Sequence, residues 1–143
     1  MSYPKLRILL NKYLYNNLVC IVLDFMKINQ DNIDIFLSPG AYLEGVDISG
    51  LVINKLNISN AFMKGCNLSN CFIKNTIIIN TVMDRSNMRN TKILNSNLNH
   101  SDVNNSDLSN CILHNVTLIN TNLKQSILTN IKLIQTDFYS SII

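Results

Sequence analysis

Residues 66–80 read CNLSN-CFIKN-TIIIN, and the same five-residue grammar runs from residue 41 to residue 143. Stepping by five from Leu43 meets Ile48, Ile53, Ile58, Met63, Leu68, Ile73, Ile78, Met83, Met88, Ile93, Leu98, Val103, Leu108, Leu113, Leu118, Leu123, Leu128, Leu133, Phe138 and Ile143. Each is large and apolar, and the register never slips. A period of five is neither the 3.6 of a helix nor the 2 of a strand. It suits a right-angled coil in which each unit forms one side and then turns a corner.

Two flanking columns support that reading. Two positions before the central residue the side chain is mostly small, as at Ala61, Cys66, Cys71, Thr81, Ser86, Ser101 and Thr121. Two positions after it Asn dominates, as at Asn60, Asn70, Asn90, Asn110 and Asn130, with Gly at 45, 50 and 65. Asn and Gly accept left-handed backbone angles, and Asn makes local side-chain to backbone bonds, so both suit a corner. The large and small columns point inward, one bulky residue per side of a narrow interior.

The units Cys66-Asn67-Leu68-Ser69-Asn70, Ser106-Asp107-Leu108-Ser109-Asn110 and Thr121-Asn122-Leu123-Lys124-Gln125 resemble those of the pentapeptide-repeat family, whose unit approximates A(D/N)LxN. The resemblance covers residues 41–143. It implies an all-β solenoid, a right-handed quadrilateral β-helix with four units per coil. About five coils at the ~4.8 Å inter-strand spacing would make a rod on the order of 25 Å long.

Residues 1–38 read differently and form an expected N-terminal helical cap, with residues 39–143 as the β-helix. Leu6, Leu9, Leu10, Tyr13 and Leu14 fall on one helical stripe, and 18–26 reads as a second, nearly all-apolar helix. Gln30, Asp31 and Asn32 read as a loop. Ile33, Ile35 and Leu37 give a weak strand signal, and Ser38-Pro39-Gly40 marks the boundary. Val46, Leu51 and Leu56 put large residues in the small column of the first coil, which we read as a widened end on which Leu10, Leu14, Val22 and Phe25 sit. The other end finishes in Phe138, Tyr139, Ile142 and Ile143, an apolar coil left open.

Composition narrows the functional classes. The net charge of +3 makes no electrostatic case for nucleic acid or anionic membrane. Four cysteines, Cys20, Cys66, Cys71 and Cys111, form no CxxC pair, and no cofactor or metal site is read. Cys66, Cys71 and Cys111 fall in the small interior column as buried hydrophobes. The longest apolar run near the start, 18–23, is stopped by Asp24, far short of the ~20 residues that span a bilayer. No secretory signal is read, and an intracellular compartment is the expectation. The Asn, Ile and Lys bias suggests an AT-rich genome, such as that of a large DNA virus or a protist; if viral, a capsid or assembly component in the virion is expected.

No catalytic constellation is read. His100 and His114 lie on different faces, and Asp84, Asp102 and Asp107 are isolated. Lys74, Lys92, Lys132 and His114 share one face, read as solvated. What distinguishes the faces is apolar exposure. The one centred on Ile48, Leu68, Met88, Leu108 and Leu128 is polar. The next carries Val52, Phe72, Leu94, Ile112 and Ile134 outside, and the one after it Ile77, Ile79, Ile119 and Tyr139. With Phe138, Ile142 and Ile143 of the open end, these form the candidate protein interface. The expected function is therefore a non-enzymatic structural or interaction module that binds a protein partner or itself. Two alternatives stand beside it. Residues 14–23 faintly resemble the opening of an F-box, which implies a ubiquitin-ligase adaptor. Likeness to quinolone-resistance pentapeptide proteins implies a DNA mimic that binds a topoisomerase. The mimic needs negative potential, and the slightly positive repeat opposes it.

Overall fold

The computed structural model describes residues 28–143. The helices expected over residues 2–26, with Leu10, Leu14, Val22 and Phe25, lie outside the described residues. From Gly40 onward the backbone climbs as a parallel solenoid. Five strands form one parallel sheet in sequence order: β1 (Val52–Asn54), β2 (Phe72–Lys74), β3 (Lys92–Asn97), β4 (Ile112–Thr117) and β5 (Lys132–Ile134). Val52 pairs with Phe72, Phe72 with Lys92, Lys92 with Ile112 and Ile112 with Lys132, a step of twenty residues each time. Single bridges repeat this register on the other three sides, for example Tyr42–Phe62–Val82, Asp47–Asn67–Asn87–Asp107 and Asn57–Ile77–Asn97. Twenty residues are four units of five, one for each side. The sheet from β1 to β5 measures about four turns.

The corners explain the period. Every fifth residue from Gly40 to Ser140 has a positive φ, between 49° and 73°. An L residue pays roughly 1–2 kcal/mol for that conformation, and Gly or Asn much less. On three sides the corner closes with a bond such as Val46 N–H to Leu43 C=O (3.2 Å) or Cys71 N–H to Leu68 C=O (3.2 Å). Positive φ then falls at the third residue of the turn, as a type II turn requires. At Asn95 and Asn115 strands β3 and β4 run on through the corner instead.

The side chains of the corner asparagines do not make the local backbone bonds expected of them. They bond along the stack: Asn90 Nδ2 donates to Asn70 Oδ1 and Asn115 Nδ2 to Asn95 Oδ1, both at 3.1 Å. On three sides the local bonds come from an Asp or Asn just before the central residue. Ser49 N–H donates to Asp47 Oδ1 and Ser109 N–H to Asp107 Oδ1, both at 2.9 Å, and Asn99 N–H does the same to Asn97. A short side chain ending in an oxygen is needed there, which explains the Asp or Asn in the second place of the unit.

Inside, the central column is buried from Leu43 through Leu123, and the small column packs beside it. The small column's polar atoms tie each coil to the one below. Cys66 Sγ donates to Leu43 C=O (2.8 Å), Thr91 Oγ1 to Leu68 C=O (2.7 Å) and Thr121 Oγ1 to Leu98 C=O (2.9 Å). Ser106 Oγ accepts from Ser86 N–H (3.0 Å) and donates to Met83 C=O (2.9 Å), so it bridges the turn of the coil beneath it. A small hydroxyl fits because the acceptor belongs to the corner directly below. Each such bond contributes on the order of 1 kcal/mol.

At the N-terminal end the weak strand expected over 33–37 is a one-turn helix, α1 (Ile33–Phe36). The alternation was broken by Phe36. The spacing that wins is i, i+3, i+4: Ile33, Phe36 and Leu37 are all buried in the core cluster that also holds Val46, with Leu51 and Leu56 against it. The Gln30 carboxamide meets the free edge of β1, accepting from Val52 N–H (2.7 Å) and donating to Val52 C=O (3.0 Å). It supplies the pair of bonds that another coil would make, and so blunts that edge.

Two predictions follow from the corners and their carboxylates. Lys55 has a φ of 58° with no Asn or Gly to ease it. Lys55→Asn is expected to stabilise by about 0.5–1 kcal/mol, raising Tm by a few degrees. Gly65→Val, where φ is 65° and a Cβ meets nothing within 4 Å, is expected to cost at least about 1 kcal/mol by backbone strain alone. Thermal melts of both variants check this; equal Tm values would remove the corner account. The second concerns acid. Asp47 is held below the ordinary carboxyl range by the N–H and hydroxyl of Ser49. Burial works to raise Asp107, but Ser109 and the nearby Arg89 outweigh it and its net shift is also downward. Depressed folded-state values mean that this stabilisation is complete above the unfolded carboxyl pKa of about 3.9 and is lost as pH falls through the folded values. Tm should therefore drop below about pH 4. In Asp47→Asn/Asp107→Asn, which keeps the acceptor oxygens, the drop should be shallower.

Candidate interaction surface

Because the period fixes orientation, the outward residues form four sides, two columns on each. The β-sheet side carries Val52, Phe72, Lys92, Ile112 and Lys132 in one column and Asn54, Lys74, Leu94, His114 and Ile134 in the other. The isoleucine side follows with Asn57, Ile77, Asn97, Thr117 and Asp137, and Ser59, Ile79, Asn99, Ile119 and Tyr139. All nine side-chain positions expected outside on these two faces are outside. Val52, Ile77, Ile134 and Tyr139 are exposed, Tyr139 at 75%, while Phe72, Ile79, Leu94, Ile112 and Ile119 are half-buried between neighbours. Of the C-terminal residues Phe138 is half-buried, and Ile142 and Ile143 are 59% and 73% exposed.

The apolar interior opens at the last turn. A cavity of about 170 Å³ there is lined by Leu108, Leu113, Leu118, Leu123, Leu128, Ile131, Leu133, Phe138 and Ile143. It is continuous with the central column, so the same residues that fill the core below line a surface here.

Two features escaped the sequence. The polar side ends in Ile127, 52% exposed, beyond Asp47, Asn67, Asn87 and Asp107. The remaining side carries Tyr42, Phe62 and Val82 in one column. The Tyr42 and Phe62 rings stack at 5.0 Å and 13°, and the Tyr42 hydroxyl bonds Glu44. Their spacing of twenty residues was the available signal, diluted by the charged residues interleaved with them.

The chemistry of the surface is plain. Cys66, Cys71 and Cys111 are buried, and burial pushes the Cys71 and Cys111 thiols up to about 11. Such thiols are protonated at neutral pH and serve as core. His100 stands on a corner at φ 60°, and His114 lies on the β-sheet side beside Gln135 (3.3 Å). Among the described residues no group of His, Cys, Asp or Glu is placed to hold a metal ion, and no helix is long and apolar enough to cross a membrane.

Comparison with known proteins agrees with this geometry. The family model for pentapeptide repeats matches in eight copies over residues 66–105 and 95–130. No curated protein sequence matches the chain. Among solved structures, the chain is similar to a pentapeptide repeat protein (Rfr23) from the cyanobacterium Cyanothece 51142, with a TM-score of 0.63 and 19% identity over 72% of this chain and 88% of that one. A pentapeptide repeat protein of the Arabidopsis thaliana thylakoid lumen matches over 80% of this chain and 66% of its own, at 18% identity and a TM-score of 0.35. QnrB1, a plasmid-mediated fluoroquinolone resistance protein, matches over 73% and 66%, at 12% identity and a TM-score of 0.41. At these identities the likeness is one of fold. With its repeat read from the sequence, matched by the family model over residues 66–130 and built as a parallel solenoid, the chain carries pentapeptide repeats.

Proposed function

We propose that this protein is a non-enzymatic interaction module that presents its β-sheet and isoleucine sides, together with the C-terminal turn, to a protein partner or to a second copy of itself. The carrying observation is the apolar surface on two adjacent sides, with Val52, Ile77, Ile134 and Tyr139 exposed and the half-buried residues between them. Outward apolar residues concentrated on adjacent sides mark a contact surface more often than singly scattered ones do. The unbroken units support the same reading, since no loop departs from the register to carry a grafted site.

Its architecture in full, as we propose it, is a right-handed rod of about five coils over residues 39–143 with residues 1–38 as its cap. The burial of Ile33, Phe36 and Leu37 and the Gln30 bonds to Val52 support a cap at that end. The buried thiols of Cys71 and Cys111, which form no disulfide, suit a reducing intracellular setting or a virion assembled in one. The F-box reading rests on residues 14–23, outside the described residues. The DNA-mimic reading gains nothing from the charge: Glu44, Asp47, Asp84, Asp102, Asp107 and Asp137 face Lys55, Lys64, Lys74, Arg85, Arg89, Lys92, Lys124 and Lys132 in the repeat.

The test is Ile77→Lys/Ile119→Lys, two outward residues whose change leaves the interior intact. Co-purification from the native source and light scattering are compared with the original chain. Loss of a partner or of an oligomer, with circular dichroism unchanged, is the expected result. A monomer that captures nothing in either form would refute the reading.

A further inference from the structure

The β-sheet side has an order that neither its charge nor its apolar content shows alone. In the row of β2, Phe72 stands in the first column and Lys74 in the second. In the row of β3 the two types change places, with Lys92 first and Leu94 second. They change back at β4, where Ile112 precedes His114, and change again at β5, where Lys132 precedes Ile134. Each row thus offers one apolar and one basic or imidazole side chain, and the side alternates from row to row. No carboxylate among the described residues lies on this face, and the ion pairs Arg85–Asp84 and Arg89–Asp107 lie elsewhere. Lys74 Nζ sits 5.4 Å from the Phe72 ring centroid, so its stem lies along the face.

We infer that this checkerboard is a docking face for one acidic amphipathic helix of a protein partner, laid along the stack. The inference rests on the interaction role proposed above and names the partner's chemistry on one of its two sides. Charge complementarity calls for carboxylates and excludes a basic segment. Apolar residues in every row call for apolar partners beside those carboxylates, which a phosphate backbone does not offer. Size selects a slender element. Four rows at the ~4.8 Å strand spacing span about 15 Å, and the two columns lie about 7 Å apart. That footprint is far below the roughly 800 Å² per partner of a standard globular interface. It matches three turns of a helix about 10 Å wide, whose 5.4 Å pitch lies close to the row spacing. One carboxylate and one apolar residue per turn then meet one lysine or histidine and one apolar residue per row.

The probe is a 16-residue alanine-based helical peptide whose two adjacent stripes exchange Glu and Leu at each turn, as the rows do, with Glu at i, i+5, i+8 and i+13 and Leu at i+1, i+4, i+9 and i+12. The same peptide with Lys for Glu is the control. The Glu peptide is expected to bind at 50 mM salt, to weaken severalfold at 300 mM salt, and to shift amide resonances in β2–β5. The Lys peptide should bind at least about tenfold more weakly. Lys74→Glu/Lys92→Glu, with circular dichroism unchanged, should lose at least about tenfold for the Glu peptide. Equal binding of both peptides, shifts confined to another side, or indifference to the charge reversal would overturn the inference. So would lysine-dependent binding to phosphatidylserine–phosphatidylcholine vesicles without binding of the Glu peptide. A native partner that is lost by Ile77→Lys/Ile119→Lys but kept by Lys74→Glu/Lys92→Glu would sink this inference and leave the interaction role standing.

Discussion

A left-handed corner at every fifth residue is the constraint from which the rest of the structure follows. It sets the length of a side, and four sides make a turn of twenty residues. It brings each residue over its counterpart in the coil below, so the backbone bonds of every side form a parallel ladder. It also divides each unit into two inward and two outward positions. A corner out of place would rotate every later side chain by one position, from core to solvent or back, much as a register slip inverts a strand.

That division separates what stabilises from what recognises. Inside, the central column supplies apolar burial, and the small column supplies hydroxyls and thiols whose acceptors lie one coil below. Outside, short Asx side chains fasten three of the sides locally, while Asn ladders run along the corners. What remains free to vary is the pair of outward columns on each side, and there the four sides differ most. Each coil contacts only its neighbours, so stability is close to one-dimensional and the two ends carry special importance. At one end Gln30 and the buried residues of α1 cover the first units, while at the other the apolar interior is open to view.

The period was legible because nothing interrupts it, and with it came the core columns, the corners and the side assignment of Phe72, Leu94, Ile112, Ile77 and Ile119. Two things were harder to read. The segment 33–37 is too short for periodicity to separate strand from helix, and burial of Ile33, Phe36 and Leu37 against the first units decided it. The roles of Asp and Asn were also merged. One column's oxygen turns inward on its own backbone and the other's amide reaches along the stack, a difference of geometry that composition does not show. On the surface, apolar and basic residues had been read as separate features of one side. Only the row-by-row register of β2 to β5 shows that they alternate.

The central claim is that register, set at the corners, holds the solenoid together. It is tested most directly by two insertions compared in denaturant titrations. Duplicating residues 86–105 adds one whole turn and should leave the midpoint unchanged or higher, with a larger m-value from the added buried surface. Adding a single alanine between Asn95 and Ser96 should lower stability sharply, because the later columns lose their inward and outward assignment. A single insertion as stable as the original chain, or a duplicated turn that unfolds the protein, would contradict the account.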